Sequence, residues 1–395
     1  MTKKWRYALI GAASLVGVVM PCSAADKKPE KGEPASTGAD ANASDDAGGC
    51  REALELTVKA AKATDPGEEE RLYNEALTSC PLLPEARYNR ALLYRRQGKR
   101  ELALAELGKA LESRDDDRFR VARGRVLAEL QQYDAARADY RAVLNRTPSD
   151  SAALLGMASI CDKQGDRAQA IRLLEEGRGA DPHSGLLRLN LGVLYELSGR
   201  IEEAAVEYTK ATELDSSNGE AWFRRGGLWG ARGDSEKAIS AFEKAIVAGG
   251  ETEVAARVAL ARILRSRKST EKAELTLRRG LERSPDSIEL LKELTAVLFS
   301  EQRFEQVVEE ATKVIAREPR QSATLLLKGA AERRLGRLEV AQRSLQESLA
   351  IDDQNPVIHY ELALLFRSLG RSDDSFRHAQ LSKKIERARE GQSLK

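Results

Sequence analysis

Few residues of this sequence could do chemistry on a bound molecule. Its 395 residues include three histidines, His183, His359 and His378, and four cysteines. No two histidines lie at a spacing from a cysteine, aspartate or glutamate that would hold a metal ion. Cys161 lacks the basic neighbourhood and the partner histidine that a catalytic cysteine needs. We therefore expect a protein that is not an enzyme, with no catalytic residue, metal site or cofactor.

The first 24 residues differ from the rest of the chain. Three basic residues precede an uncharged apolar run over 8–20, and small residues follow at 22–24. This order is that of a secretory signal peptide, and the run is shorter than the roughly 20 residues that span a bilayer. We expect residues 1–24 to be removed on export to a bacterial-type periplasm or outer membrane. An uncleaved anchor is the alternative.

A polar segment follows at 25–49, without any large apolar side chain, and it predicts a disordered linker. Exported lipoproteins often carry such a tether, which would make Cys22 the point of lipid attachment. Pro21 departs from the small residue that lipoprotein signals place before the cysteine. Both outcomes stay open, and we expect membrane association only if Cys22 is lipidated.

The charge balance argues against nucleic acid as a partner. The chain has 64 Lys+Arg and 62 Asp+Glu, and loss of the signal leaves 61 against 62. A nearly neutral chain has no broad positive field for nucleic acid or anionic lipid. Aromatic residues make up 5%, while strong helix formers are abundant, which favours an all-α protein.

A pattern of 34 residues repeats from Cys50 onward. We number positions from the first residue of each repeat. In the segment 185–218, the pattern is carried by Leu191, Gly192, Tyr195, Gly199, Ala204, Tyr208 and Ala211, at positions 7, 8, 11, 15, 20, 24 and 27. The segment 219–252 follows it with Trp222, Gly226, Trp229, Gly233, Ala238, Phe242 and Ala245. A recurrence of this length is a strong signal of a repeat array.

In this pattern the chain resembles the tetratricopeptide-repeat (TPR) family. The resemblance implies an all-α, right-handed superhelical solenoid of about ten helix-turn-helix repeats over residues 50–386, followed by a charged tail at 387–395. The expected repeats start at 50, 84, 117, 151, 185, 219, 254, 288, 322 and 356.

The spacing has a physical basis in helix geometry. Positions 8 and 20 hold Gly or Ala in most repeats, which lets the paired helices approach closely, and large residues at positions 11 and 24 fill the flanking space. Glycine at position 15 should end the first helix in a left-handed residue, and proline at position 32 should stop the second. The first and eighth repeats depart from the pattern, with Thr57 and Glu69 in one and Thr295 and Val307 in the other. We expect looser packing in both.

The resemblance also implies a groove lined by the first helices. Positions facing it carry an apolar strip, which exposed would mark a partner site. Arginines beside the strip could pair with acidic groups, and asparagine at position 6 often contacts an extended peptide in the family. The predicted partner-binding residues are Asn89, Arg125, Leu155, Leu186, Leu189, Asn190, Val193, Leu197, Phe223, Arg224 and Arg262. The alternatives are that neighbouring helices cover the strip and that nearby glutamates balance the arginines.

Two further cysteines, Cys50 and Cys80, fall at positions 1 and 31 of the first repeat, at ends of its helices that lie on the same side. Export would favour their pairing. The opposing argument is geometric, since helix axes pack 8–10 Å apart and a bridge needs Cα atoms within about 7 Å. The sequence predicts a disulfide, with two free thiols as the alternative.

Export, a groove and the lack of catalytic residues together predict a scaffold of the cell envelope. Its partners would be extended or helical segments of envelope proteins in secretion, motility or cell-wall assembly. An accessory role in polysaccharide or glycan biosynthesis is a second hypothesis. An RNA-binding helical repeat is a third, and the 34-residue period and near-zero charge oppose it.

Overall fold

The computed structural model describes residues 46–392. The predicted signal peptide, Cys22 and nearly all of the predicted linker lie outside this range. Within it, every regular element is an α-helix, and the helices alternate as first and second members of ten pairs. The first helices are α1 Asp46–Ala60, α3 Pro84–Arg96, α5 Asp117–Glu129, α7 Ser151–Lys163, α9 Gly185–Leu197, α11 Gly219–Ala231, α13 Glu253–Ser266, α15 Ile288–Ser300, α17 Ser322–Arg334 and α19 Pro356–Ser368. The second helices are α2 Pro66–Ser79, α4 Arg100–Ser113, α6 Tyr133–Arg146, α8 Arg167–Ala180, α10 Ile201–Leu214, α12 Ser235–Ala248, α14 Thr270–Arg283, α16 Phe304–Arg317, α18 Leu338–Ile351 and α20 Ser372–Gln392.

The described chain forms two compact units, which divide between Asp215 and Ser216. The N-terminal unit holds α1 to α10 and the C-terminal unit holds α11 to α20. Inside each unit, the two helices of a pair pack together, and each second helix also packs on the first helix of the next pair. The core of each unit therefore lies between stacked pairs, as expected when a single pair cannot bury its own apolar face.

The predicted repeat starts coincide with the first helices at eight of ten positions. Helix α13 begins one residue early, at Glu253. Helix α1 begins at Asp46, four residues before the predicted start, so residues 46–49 are helical and not linker. Helix α20 runs through 387–392, beyond the predicted end of the solenoid, because strong helix formers continue up to Gly391.

The turns inside the repeats are left-handed, as the glycine positions predict. Six glycines at position 15 have φ between 71° and 87°, namely Gly98, Gly165, Gly199, Gly233, Gly336 and Gly370. Three repeats without glycine there place Gln131, Lys268 and Gln302 at φ of 60° to 61°. The geometry of the turn therefore prevails over the preference of the residue, at a cost of roughly 1 kcal/mol each. The first repeat is the exception, since no residue with positive φ lies in its turn.

Positions 8 and 24 face each other across the helix pairs, and in most repeats they compensate in volume. A Cβ atom on Gly124, Gly192 or Gly226 would lie 2.6–2.8 Å from the aromatic ring at position 24 of the same repeat. Those rings belong to Tyr140, Tyr208 and Phe242. In the second, fourth and seventh repeats, position 8 is alanine and position 24 is a fully buried leucine. The ninth repeat pairs Gly329 with Leu345, and the tenth pairs Ala363 with Ala379. In the six repeats with an aromatic ring or a leucine matched in this way, the two positions compensate in volume, as close packing of a core requires.

The eighth repeat, which we expected to pack loosely, shows the same compensation in side-chain volume between positions 8 and 24. Thr295 is larger than the usual residue at position 8, but position 24 is Ala311, and both are 0% exposed. The Thr295 hydroxyl donates a hydrogen bond to the Leu291 carbonyl at 2.8 Å, so its burial leaves no unsatisfied polar group. Val307, at position 20, is also 0% exposed. The residues that depart from the pattern in this repeat are therefore fully buried.

In the first repeat, the two residues that depart from the pattern, Thr57 and Glu69, make polar contacts. The Thr57 hydroxyl donates to the Ala53 carbonyl at 2.7 Å. Glu69 is 9% exposed, and both its carboxylate oxygens accept from Arg96 at 2.7 Å. Burial, reinforced by the neighbouring Glu69 carboxylate, raises the pKa of Tyr73 well above its ordinary value. The first repeat is therefore held by a buried polar cluster where the internal repeats use small side chains.

Candidate partner-binding surface

Most of the predicted apolar strip is core in the N-terminal unit. Leu155 and Leu189 are each 6% exposed, and Val193 is 7% exposed. Successive first helices α7 and α9 pack side by side, which covers these positions. The expectation that these three residues form an exposed strip is wrong. Leu186 is half-buried, and Leu197, at the end of α9, is 40% exposed.

Phe223, the remaining apolar residue of the predicted strip, belongs to the C-terminal unit. It packs against the apolar core there, and its ring centroid lies 5.7 Å from that of Phe242. This packing accounts for a phenylalanine at position 223, so no partner protein is needed to explain it. The predicted strip is therefore split between two units, and its residues serve mainly in packing.

The two predicted asparagines differ in what they can still bind. Asn190 is 7% exposed, and its side-chain amide donates to the Leu186 carbonyl of its own helix at 2.9 Å. Asn89 is half-buried, and its side chain makes no hydrogen bond within residues 46–392. Asn89 therefore keeps its hydrogen-bonding capacity, whereas Asn190 already uses one donor internally.

The arginines form the accessible part of the predicted surface. In the C-terminal unit, Arg262 and Arg265 of α13 both donate to Glu293 of the next first helix, α15. The Nε atom of Arg262 lies 2.8 Å from a carboxylate oxygen of Glu293, and that of Arg265 lies 3.2 Å away. The Glu293 side chain is only 6% exposed, while those of Arg262 and Arg265 are 43% and 34% exposed. Two charged side chains thus remain accessible around one buried carboxylate.

A related arrangement recurs two repeats later. Arg333 and Arg334 of α17 both pair with Glu361 of α19, at 2.9 Å and 3.7 Å. The Arg334 side chain is 34% exposed, while that of Arg333 is 14% exposed. The Arg334 guanidinium also lies over the rings of Phe299 and Phe304, 5.2 Å and 5.5 Å from their centroids. These two sets, Arg262–Arg265–Glu293 and Arg333–Arg334–Glu361, are called the arginine triads below. Each carries one net positive charge on the first-helix side of the C-terminal unit.

The other predicted arginines are less available. The Nε atom of Arg224 donates to Glu220 on the same helix at 2.6 Å. Arg125 is half-buried in the N-terminal unit. The alternative in which neighbouring glutamates balance the arginines holds for Arg224 and partly for the triads, because one glutamate there serves two arginines.

Sequence reasoning missed a contact between positions 4 and 23 of the same repeat. Arg87 pairs with Glu106 at 3.2 Å, Arg120 with Asp139 at 3.7 Å, and Arg188 with Glu207 at 3.0 Å. These pairs join the first helix to the second in the second, third and fifth repeats. The recurrence of arginine at one position and an acid at the other is the signal that could have revealed them.

The last repeat places two histidines at the same pair of positions. The Nδ1 atoms of His359 and His378 lie 2.9 Å apart, and His359 Nε2 lies 3.0 Å from the Asp353 carbonyl. The carbonyl can only accept, so His359 carries its proton on Nε2 and its Nδ1 accepts from His378. Burial, together with the neighbouring His359, lowers the pKa of His378. The two rings therefore share a single hydrogen bond.

The two cysteines of the first repeat are joined. Cys50 and Cys80 form a disulfide with their Cα atoms 4.9 Å apart, well inside the limit for a bridge. The helix ends approach more closely than the average spacing of helix axes suggests. Cys161 is a buried thiol, 7% exposed.

Within the part of the chain that the structure describes, no three His, Cys, Asp or Glu side chains converge as metal ligands would. Across the same residues, no helix combines the length and apolar character needed to cross a bilayer.

Models of known protein families match the internal repeats of the chain. Two family models, each described as tetratricopeptide repeat, match the chain. One covers residues 127–184 and 163–224, and the other covers 88–153 and 230–288. The matched segments lie in both compact units and follow the helix pairs described above.

A curated relative is similar over part of the chain. DnaJ homolog subfamily C member 3 from Gallus gallus is 28% identical over 170 residues, which is 39% of this chain. The aligned segment spans 34% of that relative, so about two thirds of its length has no counterpart in the alignment.

Solved structures with a similar fold are more distant in sequence. The TPR protein YrrB, which has an unusual peptide-binding site, is 20% identical, with a TM-score of 0.41 over 47% of this chain and 95% of its own. The type IV pilus biogenesis factor PilW is 20% identical, with a TM-score of 0.44 over 52% of this chain and 93% of its own. A tetratricopeptide repeat protein from Parabacteroides merdae is 17% identical, with a TM-score of 0.42 over 63% of this chain and 98% of its own.

Proposed function

Because this chain belongs to the tetratricopeptide-repeat family, we propose that it is a non-catalytic scaffold that binds segments of other proteins of the cell envelope. Its partners would be extended or helical segments that carry carboxylates. The first helices of the C-terminal unit, not the apolar strip predicted from the sequence, would receive them.

The arginine triads are the observation that supports this proposal. In each triad a buried glutamate orients two guanidinium groups but neutralises only one of them. Within residues 46–392, Arg262 makes its only hydrogen bond through Nε, so its two terminal nitrogens keep their donors. A guanidinium held in place by one carboxylate can bind a second one with little further loss of side-chain freedom. Arginines preorganised in this way favour acidic partner segments.

The envelope location is supported by the sequence of residues 1–24, which has the order of a signal peptide. Mass spectrometry of the protein from its native host tests this part directly. A mature chain that starts at Ala25 means a soluble exported scaffold, and a diacylglyceryl group on Cys22 means a membrane-attached one. An intact Met1 together with recovery from the cytosol would contradict both.

Charge reversal of a triad tests the binding surface. We expect Arg262→Glu with Arg333→Glu to abolish the capture of partners that the wild-type chain retains from an envelope fraction. The matched control is Arg343→Glu, because Arg343 is an exposed arginine on a second helix. Capture by the wild type should also weaken as salt is raised, since exposed charges are screened. Equal capture by all three chains, with helicity unchanged, would show that the triads are not the site.

A further inference from the structure

The last helix, α20, presents an unusual outer face. It has 21 residues, while the other second helices have 14. Its inner side is anchored to α19, where the Ser382 hydroxyl donates to the Pro356 carbonyl at 2.9 Å and the Ser375 hydroxyl donates to the Ala363 carbonyl at 2.8 Å. On the outer side, Phe376 is 66% exposed and Leu381 is 36% exposed. Phe376 is thus a large aromatic side chain that packing within the chain does not explain.

The exposed residues form one stripe with opposite charges at its ends. A shallow depression on α20 is lined by Asp373, Phe376, Arg377, Gln380, Leu381 and Lys384. Their spacing of three and one places them on one face of the helix, as in a two-helix interface. The stripe begins with an acid and ends with a base, and its apolar residues lie between them.

We propose that this stripe is a self-association surface, on which α20 of a second copy packs in the antiparallel direction. A two-fold axis between Gln380 and Arg377 of the two copies places Asp373 opposite Lys384. The same axis places Phe376 opposite Leu381. Each contact occurs twice, so the pairing neutralises four charges and covers four apolar side chains. A parallel arrangement would instead bring Asp373 against Asp373 and Lys384 against Lys384.

A charge at the edge of the stripe agrees with the same axis, since Asp374 falls opposite Lys383. An isologous contact of this kind needs a surface that is complementary to itself. A stripe that begins with Asp373 and ends with Lys384 has that property only in the antiparallel direction. The choice of a second copy as the occupant rests on this complementarity. Since one helix contributes the surface, the dimer should be weak and concentration-dependent.

Sedimentation equilibrium of the mature protein over a wide concentration range tests the surface. We expect a monomer–dimer equilibrium whose dissociation constant rises at least about tenfold in Phe376→Asp. The matched control is Val247→Asp on α12, because Val247 is 88% exposed and lies outside the stripe. This control should leave the equilibrium unchanged. A chain that stays monomeric throughout, or a dimer that Phe376→Asp does not weaken, would overturn the proposal.

Charge exchange tests the direction of pairing. Asp373→Lys alone and Lys384→Asp alone should each weaken the dimer, because each places like charges opposite one another. A mixture of the two single variants should form a heterodimer, and the chain carrying both substitutions should regain the wild-type constant. If the doubly substituted chain remains as weak as the single variants, the antiparallel pairing is wrong. Hydrogen exchange in α20 confirms that each variant keeps the helix docked.

Discussion

The first and the last repeat each have a contact between their two helices that no internal repeat has. It is a disulfide in the first repeat and a pair of histidines in the last, and the two contacts respond to different conditions. In the first repeat, the Cys50–Cys80 disulfide joins the start region of α1 to the end of α2. In the last, His359 and His378 join α19 to α20. Terminal repeats of a stack have a neighbour on one side only, so they are the first to fray. The comparison indicates that one end depends on the redox state of its surroundings and the other on pH.

The internal repeats show what the histidines replace. Three of them carry an arginine and an acid at the same two positions, where the last repeat carries two histidines. Burial lowers the pKa of His378, so the contact in the last repeat depends on the protonation of this imidazole.

Removal of the disulfide should have the largest effect and should be confined to the first repeat. The bridge joins residues 30 apart in sequence, and a loop of that size contributes roughly 3 to 4 kcal/mol in the chain-entropy model. We expect Cys50→Ala with Cys80→Ala to lower hydrogen-exchange protection in α1 and α2 and to leave α19 and α20 unchanged. In the unfolded, unreduced mature chain without Cys22, only Cys161 should react with a thiol reagent. Three reactive thiols would show that the bridge does not form in solution.

The stability of an internal repeat should not change with reductant or pH. It should fall when the side chain at position 8 is enlarged. A Cβ on Gly226 would lie 2.8 Å from the Phe242 ring, which is 1% exposed and has no room to move. We expect Gly226→Ala to destabilise the C-terminal unit by about 1–3 kcal/mol, the usual cost of overpacking. The adjacent Gly227 has nothing within 4 Å of its Cβ position. Gly227→Ala should therefore be neutral or stabilise by up to about 1 kcal/mol, through helix propensity. Equal melting temperatures for the two variants would contradict this account.

Acidification should have the smallest effect, at the other end. Because the pKa of His378 is lowered in the folded chain, the unfolded chain takes up a proton first as the pH falls below about 6.5. Asp374 opposes this effect and Arg377 adds to it. The contribution of His378 to stability is thus present at neutral pH and is lost on acidification. We expect protection of α20 from hydrogen exchange, corrected for the intrinsic rate, to fall between about pH 7 and 5.

His378→Gln should remove that pH response. The exposed His183, which lies in a loop, supplies the control, and His183→Gln should leave the response intact. If α1 and α2 lose protection over the same pH range as α20, the two ends are not distinct in the way proposed.

The repeat frame was predictable because it rests on local rules. Glycine at position 15 and small residues at positions 8 and 20 are each sufficient to place a turn or a close approach. The burial of Leu155, Leu189 and Val193 was not predictable in the same way, because it depends on how closely successive first helices pack. The His359–His378 contact joins residues 19 apart, and neither residue alone indicates it. The positions themselves carried the information, since the same two positions hold ion pairs in other repeats.

The matched volumes at positions 8 and 24 bear on how such an array can change by recombination. Exchange of a whole helix pair carries Gly124 with Tyr140, or Ala91 with Leu107, and keeps each core filled. A crossover in the turn between the two helices would separate these partners. In the third repeat, for example, it would set an alanine against Tyr140, where even a single Cβ meets the ring at 2.8 Å. The pair of helices is therefore the unit that recombination can exchange while the core stays packed. A breakpoint in the left-handed turn inside a pair should be tolerated least.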